Sequence, residues 1–480
     1  KILSRENSDE SVGKIKQNWF SPKLLSILYC FIASFGYVSS GTLIAWSSNA
    51  FTRIEKEFTV NEMSLLSAIL AIGACLSTII VYKIYHRIGT KYFLLTSGSL
   101  MISSTYLTSF GSSFWLLLAG RLIGGISIGI VYTLIPQYVH ELSSKQNQNF
   151  IDNILYVQFA FGILIQYMTD YLYMYPEVIG ILTSTFSIFF FGGLLFMPES
   201  PYYLCMHQDV EKAREILLKV KNRNPMDVDD DESVENILNK WQITSTVDAK
   251  LKTVFYGHQN ICKMIPVFGL ILFQQMIGVF PLFFYMNKIF TLVGGSWLSI
   301  DLTIILITGI FVLSIPVYNL SGLKLKDRTI LLWTPVLMCI CLGVLGLYCY
   351  IQGINIDGHL EEYEYLPLLC FGLFIFFYTI GFYRLPAKYM KELVPEEYYF
   401  TTNSVATFTN WLIIYLITRS LPTLINYIGV GWLFWNISCV LIFATIFVRL
   451  FVPDLQDSGS KIELLTNSSS STSSSTPEIV

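Results

Sequence analysis

Twelve apolar runs, each about the length a helix needs to cross a lipid bilayer, constrain this chain more than any other feature. They cover approximately residues 23–46, 63–85, 92–110, 114–138, 150–172, 178–197, 264–290, 298–319, 329–350, 365–389, 401–424 and 428–452. The runs are too long and too uniformly apolar for barrel strands, so helices are the form that leaves no backbone group unbonded in hydrocarbon. Composition decides one point: charged residues make up 14% of the chain, against about 25% in soluble proteins. The expectation is an all-α membrane protein with twelve transmembrane helices. A net charge of −3 gives no reason to expect a nucleic-acid partner, and no obligate protein partner is expected beyond the bilayer itself.

The loops between the runs set the orientation. One set carries Lys83, Arg87, Lys91, Lys145, Lys324, Lys326, Arg328, Lys388 and Lys391, whereas loops 111–113, 173–177, 291–297, 351–364 and 425–427 contain no Lys or Arg. Only loop 47–62, with Arg53 and Lys56, departs from the pattern. Positive charge stays on the cytosolic side, which puts both termini and segment 198–263 in the cytosol of a multi-pass protein. The expected organisation is a polar N-terminal segment 1–22, a six-helix bundle 23–197, a cytosolic linker 198–263, a second bundle 264–452 and a Ser-rich tail 453–480. Within the linker, Asp209–Val220 and Glu235–Trp241 read as short helices around the acidic run Asp227–Glu232. The chain opens on Lys1 rather than Met, so an earlier start is expected; residues 1–22 are polar and hold no cleavable signal.

Spaced features repeat between the two bundles. Arg87 and Arg328 follow comparable helix turns, Glu141 and Glu392 close the fourth and tenth helices, and Pro198-Glu199 and Pro453-Asp454 close the sixth and twelfth. The three offsets fall within about 240–255 residues, the mark of two pseudo-symmetric six-helix halves.

Polar residues inside the apolar runs are the candidate functional groups. Gln274 and Gln275 are adjacent amides in the seventh run; each must find partners, and an amide supplies the donor and acceptor that suit a polyol hydroxyl. Helix–helix bonding is their other use. Arg121 sits in a run with Gly120, Gly124, Gly125 and Gly129, small residues at helical spacing that let a neighbouring backbone approach. Arg121 and Asp170 each lie about 30 Å from the cytosolic ends of their helices, so an ion pair near the outer boundary is expected, with two separately hydrated charges as the alternative. Arg384, two residues before Pro386, is either a cation on the solute path, favouring an anionic solute, or a side chain snorkelling to the interface with Lys388 and Lys391. The second reading carries more weight because long basic side chains do this near helix ends. The nine cysteines fall mostly within apolar runs and the five histidines are scattered, so neither a disulfide set nor a metal site is expected. No catalytic motif and no cofactor are expected.

Several of these residues form motifs that resemble the sugar porters, a branch of the major facilitator superfamily. Gln274-Gln275, Gly278 and Tyr285 match the signature of the seventh helix, although Phe280 and Phe284 replace its Asn and first Tyr. Pro198-Glu199-Ser200-Pro201, Arg87-Ile88-Gly89-Thr90-Lys91, Lys326-Asp327-Arg328, Asn410-Trp411 and the Gly-Arg of the fourth helix also match in part. As a whole the chain is similar to insect trehalose- and hexose-type facilitators. The resemblance implies a solute site at the midplane between halves that rock, with Gln274, Gln275, Tyr285, Asn410 and Trp411 facing a small-molecule sugar and Tyr156 or Gln158 opposite. It implies that Glu141 and Glu392 pair with Arg87, Lys91 or Arg328 to lock the outward-facing state, a latch weakened in the second half where Tyr399 replaces an arginine. Proton-coupled members carry an aspartate after Phe-Gly-Tyr; here Phe35-Gly36-Tyr37 is followed by Val38, so uncoupled, facilitated diffusion at the plasma membrane is expected. Two rivals stay open: a carrier of another small organic solute, favoured by Phe280, Phe311, Ala387 and Arg384, and a non-transporting sensor on the same fold, suggested by the eroded latch motifs and the long Ser-rich tail.

Overall fold

In a computed structural model of the protein, the described residues are 22–54, 57–144, 147–173, 175–221, 234–246, 258–294, 298–320, 326–354 and 363–455. The acidic run Asp227–Glu232, the Ser-rich tail beyond residue 455, Lys145 and Lys324 lie outside them. The regular elements are helices: α1 Pro22–Ile54, α2 Val60–Ile88, α3 Thr90–Phe110, α4 Phe114–Glu141, α5 Gln148–Leu172 and α6 Pro176–Phe196. Three short helices follow, α7 Pro201–Met206, α8 Val210–Lys221 and α9 Val234–Thr246. Then come α10 His258–Met276, α11 Val279–Val293, α12 Ile300–Leu320, α13 Asp327–Ile354, α14 Leu366–Ile380, α15 Leu385–Leu393, α16 Glu396–Ile428 and α17 Val430–Phe451.

Eleven of the expected spans are long and apolar enough to cross a membrane, with α10–α11 and α14–α15 each counted as one. The twelfth expected run, 92–110, does form helix α3, but Thr96, Ser97, Ser99, Ser103, Ser104, Thr105, Thr108 and Ser109 hold it below that measure. Six of those hydroxyls turn back onto carbonyls of their own helix, as in Thr105 Oγ1 to Met101 O at 2.9 Å, and Ser104 Oγ donates to Gly120 O of α4 at 2.8 Å, which makes the stretch tolerable in an apolar surrounding. The protein is a multi-pass, all-α membrane protein.

Close helix approach rests on glycine. A Cβ on Gly125 would stand 1.9 Å from Leu70 O, and one on Gly162 would stand 2.0 Å from Val38 O. Thus α4 lies against α2 and α5 against α1 at backbone distance, where small residues replace the hydrophobic drive that lipid removes. α3 fits between α4 and α6; on the other side α13 packs along α17 and α14, and α12 along α14. Between the two groups, α2 lies along α16 and α5 along α12. In the order of the spans these contacts are second with eleventh and fifth with eighth, and a shift by six exchanges them. That is the contact pattern of a two-fold pseudo-symmetric bundle.

The same repeat reaches individual atoms. Tyr138 donates its hydroxyl to Pro198 O at 2.6 Å, and Tyr389 donates to Pro453 O at 3.1 Å. Each proline is followed by an acid that takes a basic-loop donor: Glu199 accepts the Lys91 N–H at 2.9 Å, and Asp454 accepts Lys326 Nζ at 2.8 Å.

Two spans are broken, and both breaks matter for the site. Gly278 takes φ +78°, ψ +18° between α10 and α11, a left-handed conformation that costs an L-residue with a Cβ. The second break, Gly381–Arg384, separates α14 from α15. Broken helices expose backbone only where it faces a cavity.

Candidate functional site

A cavity of about 230 Å³ lies between the two helix groups, bounded by both breaks. Its depth follows from counting along helices at about 1.5 Å per residue. α4 ends and α5 begins at the end of the bundle that also holds Pro22 and Phe451, so His140, Asn149 and Asp152 mark the mouth, joined by Lys388, Lys391, Glu392 and Tyr399. Tyr156, Gln274, Tyr383 and Arg384 form the wall, while Tyr37, Tyr132, Gln275, Phe280 and Asn410 line the deep end.

The wall is held by contacts across the breaks. Gln274 donates Nε2 to Tyr383 O at 3.2 Å, tying the seventh span to the interruption of the tenth. Tyr383 packs on Tyr156 with ring centroids 5.0 Å apart and on Phe311 at 5.1 Å. Tyr37 and Tyr132 are 4.8 Å apart by centroid. Gln275 is 1% exposed, and its Oε1 accepts no hydrogen bond from the protein. An acceptor so placed beside a cavity calls for a donor from whatever fills it.

Of the expected solute-facing residues, Gln274, Gln275, Asn410 and Tyr156 line this cavity. Three do not. Tyr285 stands seven residues beyond Gly278, about 10 Å further along the span, and lines a separate cavity of about 140 Å³ toward the far end; its hydroxyl donates to Thr418 O at 3.2 Å. Trp411 is fully buried behind Tyr132, ring to ring at 5.5 Å. Gln158 is two residues from Tyr156, which turns it to the opposite side of α5, and it is absent from the lining. Arg384 also departs from expectation: it lines the cavity instead of snorkelling outward, because the chain break re-aims the first turn of α15.

The expected charge pairs are redistributed. Arg121 is fully buried and donates to Leu43 O, to Leu66 O at 3.2 Å and to Ser47 Oγ at 3.0 Å, with Trp46 and Phe284 rings 5.2 and 5.8 Å away. Asp170 instead meets Arg53 at 3.3 Å. The glycine face of α4 draws α2 so close that the guanidinium finds carbonyls of α1 and α2 before it can reach α5. Glu141 likewise accepts from Ser200 Oγ and from Gln137 Nε2 at 3.0 Å, rather than from Arg87 or Lys91. Arg328 donates to Arg449 O at 2.9 Å, and Tyr203 donates its hydroxyl to Arg87 O at 3.4 Å. Glu392 lines the mouth.

A different cluster bridges the mouth. Asp152 lies 2.5 Å from His140 Nε2 and 3.3 Å from Lys391 Nζ. The Lys391–Asp152 ion pair joins the two helix groups. Sequence reading passed over Asp152, although a carboxylate one turn into an apolar run was the available signal. The far end is joined by hydrogen bonds: Tyr167 Oη donates to Phe283 O at 2.7 Å, the Asn287 N–H donates to Ser48 Oγ at 2.9 Å, and the Arg419 guanidinium donates to the Ser64 hydroxyl. No group of three or more metal-ligating side chains occurs among the described residues.

The sequence profile of the family described as "Sugar (and other) transporter" matches residues 20–461. The chain belongs to that family. It is 23% identical over 431 residues to a facilitated trehalose transporter of Bombyx mori, covering 89% of this chain and 84% of that protein. It is 25% identical to a D-xylose transporter of Levilactobacillus brevis, covering 83% of this chain and 86% of the relative. Its fold matches a proton:xylose symporter of the major facilitator superfamily solved with 6-bromo-6-deoxy-D-glucose, at a TM-score of 0.73 and 18% identity, over 90% of this chain and 97% of that one. The transporter is therefore a divergent sugar porter with the major facilitator fold, and not an enzyme.

Proposed function

We propose that this transporter moves a sugar, trehalose or a hexose, down its gradient by alternating access and without proton coupling. The observation that carries the reading is the central cavity, where Gln274, Gln275, Asn410 and five tyrosines converge between the two helix groups. Residues 23–197 and 264–452 act as the two halves, twelve spans in all, and rock about that cavity while 198–263 joins them on the cytosolic side. In the state described here the cavity reaches the end that holds Pro22 and Phe451, which the positive-charge bias makes cytosolic at the plasma membrane. Val38 supports the uncoupled reading. It is fully buried with its carbonyl against Gly162, and the first span offers no carboxylate at that depth.

Labelled trehalose and glucose flux into vesicles reconstituted with the full chain tests this. The expected result is saturable equilibration that a pH gradient or a proton ionophore leaves unchanged. Accumulation above the outside concentration that collapses with the ionophore would overturn the uncoupled reading. A second reading, a carrier for another small organic solute, is favoured by one feature, Arg384 in the cavity wall.

A further inference from the structure

We propose that His140 makes the mouth of the cavity sensitive to pH: a proton on its ring releases Lys391 from Asp152 and lets the two halves part at this end. This rests on the rocking halves of the carrier reading above. His140 lies in the last turn of α4, Asp152 in the second turn of α5 and Lys391 in the last turn of α15. His140 Nε2 and Asp152 Oδ1 are 2.5 Å apart, so a proton stands between them. Lys391 Nζ is 3.3 Å from Asp152 Oδ2 and 3.3 Å from the same Nε2. Two donors on its two oxygens call for the ionised acid, so the imidazole donates. Its Nε2 then has no lone pair for the ammonium, and the two nitrogens are rival donors to one carboxylate.

The internal repeat accounts for the rivalry. His140 and Lys391 are 251 residues apart, the spacing of Glu141 and Glu392, so each is the other's counterpart in its half. Asn403 on α16 stands at that spacing from Asp152 and donates to Thr133 O at 3.2 Å, so the acid has a neutral amide as its counterpart. While the ring is neutral, Lys391 supplies the positive charge that Asp152 attracts across the halves. A protonated ring sets a second positive charge 3.3 Å from the ammonium. Asp152 then has a charged partner within its own half, and like charge opposes the bridge to the other. Imidazole is the side chain that ordinarily changes charge between about pH 5 and 8, and this one is 13% exposed at the mouth, within reach of solvent protons. Cys30 of α1, Tyr156 of α5 and Tyr399 of α16 share the field of Asp152; thiols and phenols are ordinarily neutral in that range. Glu141 accepts from Ser200 and Gln137, Lys388 meets Asp327, and Glu392 and Arg384 line the cavity. The proton stays with α4 while sugar passes, so it alters rates and leaves the final concentration ratio alone.

The test follows the distance between spin labels at the mouth ends of α5 and α15, in the full chain in nanodiscs, from about pH 8 to about pH 5.5. The open-mouth fraction is expected to rise about threefold or more on acidification. His140→Gln keeps a donor for Asp152 but cannot take a charge, so its fraction should stay at the alkaline value. His140→Arg is charged throughout and should stay at the acid value; if it does not fold, the glutamine variant decides. Glu141→Gln and Glu392→Gln should keep the shift. An unchanged wild-type distribution, a shift that survives in His140→Gln, or one lost in either glutamate variant would overturn the inference. Glucose flux at equal pH on both sides separates this from the carrier reading, because the label distances need no transport. A pH-driven shift in protein that moves no sugar removes the carrier reading alone, and pH-independent distances in protein that moves sugar remove this inference alone.

Discussion

At the residue scale, Gln275 and Cys205 make opposite demands on their surroundings. Gln275 has a buried carbonyl oxygen that no protein donor satisfies, so its use lies in the solute. Leaving such a group unmet costs about 1–3 kcal/mol. Gln275→Leu, which keeps the volume and removes the acceptor, should therefore leave the melting temperature unchanged or raise it. Sugar flux should fall about tenfold or more, since about 1.4 kcal/mol of lost contact is a factor of ten. A stable variant with normal flux would show that the amide only packs. Cys205, on α7 among the short helices that follow α6, has its thiol pushed up to about 11, first by burial and then by the charge of Glu141. A raised thiol stays protonated near neutrality, so roughly one molecule in three thousand is thiolate at pH 7.5. Maleimide labelling of Cys205 in the folded protein should be slow at pH 7.5 and accelerate about thirtyfold at pH 9. Labelling at the rate of a free thiol would mean that α7, α8 and α9 do not cover it.

At the element scale, the two glycines Gly125 and Gly278 separate contact from conformation. A Cβ on Gly278 would meet nothing nearer than Met276 O at 3.9 Å, so the cost of Gly278→Ala is the left-handed backbone alone, about 1–2 kcal/mol. Gly278→Asn should cost less, because asparagine tolerates that region; thermal unfolding in nanodiscs gives the order Gly, Asn, Ala. Gly125→Ala is a different matter, because the methyl would collide with the Leu70 carbonyl at 1.9 Å. α2 and α4 would have to separate, and little folded protein should be recovered. Equal yields for the two alanine variants would contradict the close packing described for α4.

At the scale of the whole molecule, the mouth and the far end differ in what holds them. Lys391–Asp152 is a cross-group ion pair at the mouth. Asp152→Asn should widen the distance between spin labels at the ends of α5 and α15 and shift the population toward a more open mouth; an unchanged distribution would show that the pair is incidental. Much of this architecture was legible beforehand. Apolar length marks spans, and the Tyr138 and Tyr389 bonds to proline carbonyls fall where the duplicated Pro198-Glu199 and Pro453-Asp454 pairs had suggested a repeat. What escaped was direction. Hydropathy does not register a positive φ at Gly278, and a shared motif does not register distance: Tyr285 stands ten residues, about 15 Å, along the span from Gln275 and falls at the far seam rather than beside the amides. Whether Arg384 snorkels or faces inward likewise depends on the turn at Gly381–Arg384, and the Arg121–Asp170 pairing failed because the glycine face of α4 brought carbonyls nearer than the carboxylate.

The unlike fastenings at the two ends have a consequence for kinetics. One rim is tied by an ion pair of opposite charges, which dissolved electrolyte weakens, and the bonds described at the other are hydrogen bonds with at most one charged partner, which it touches less. A passive carrier built this way still brings both compartments to equal concentration, as detailed balance requires. Its half-saturation for entry and for exit need not coincide, however, and added salt would move one of them more than the other.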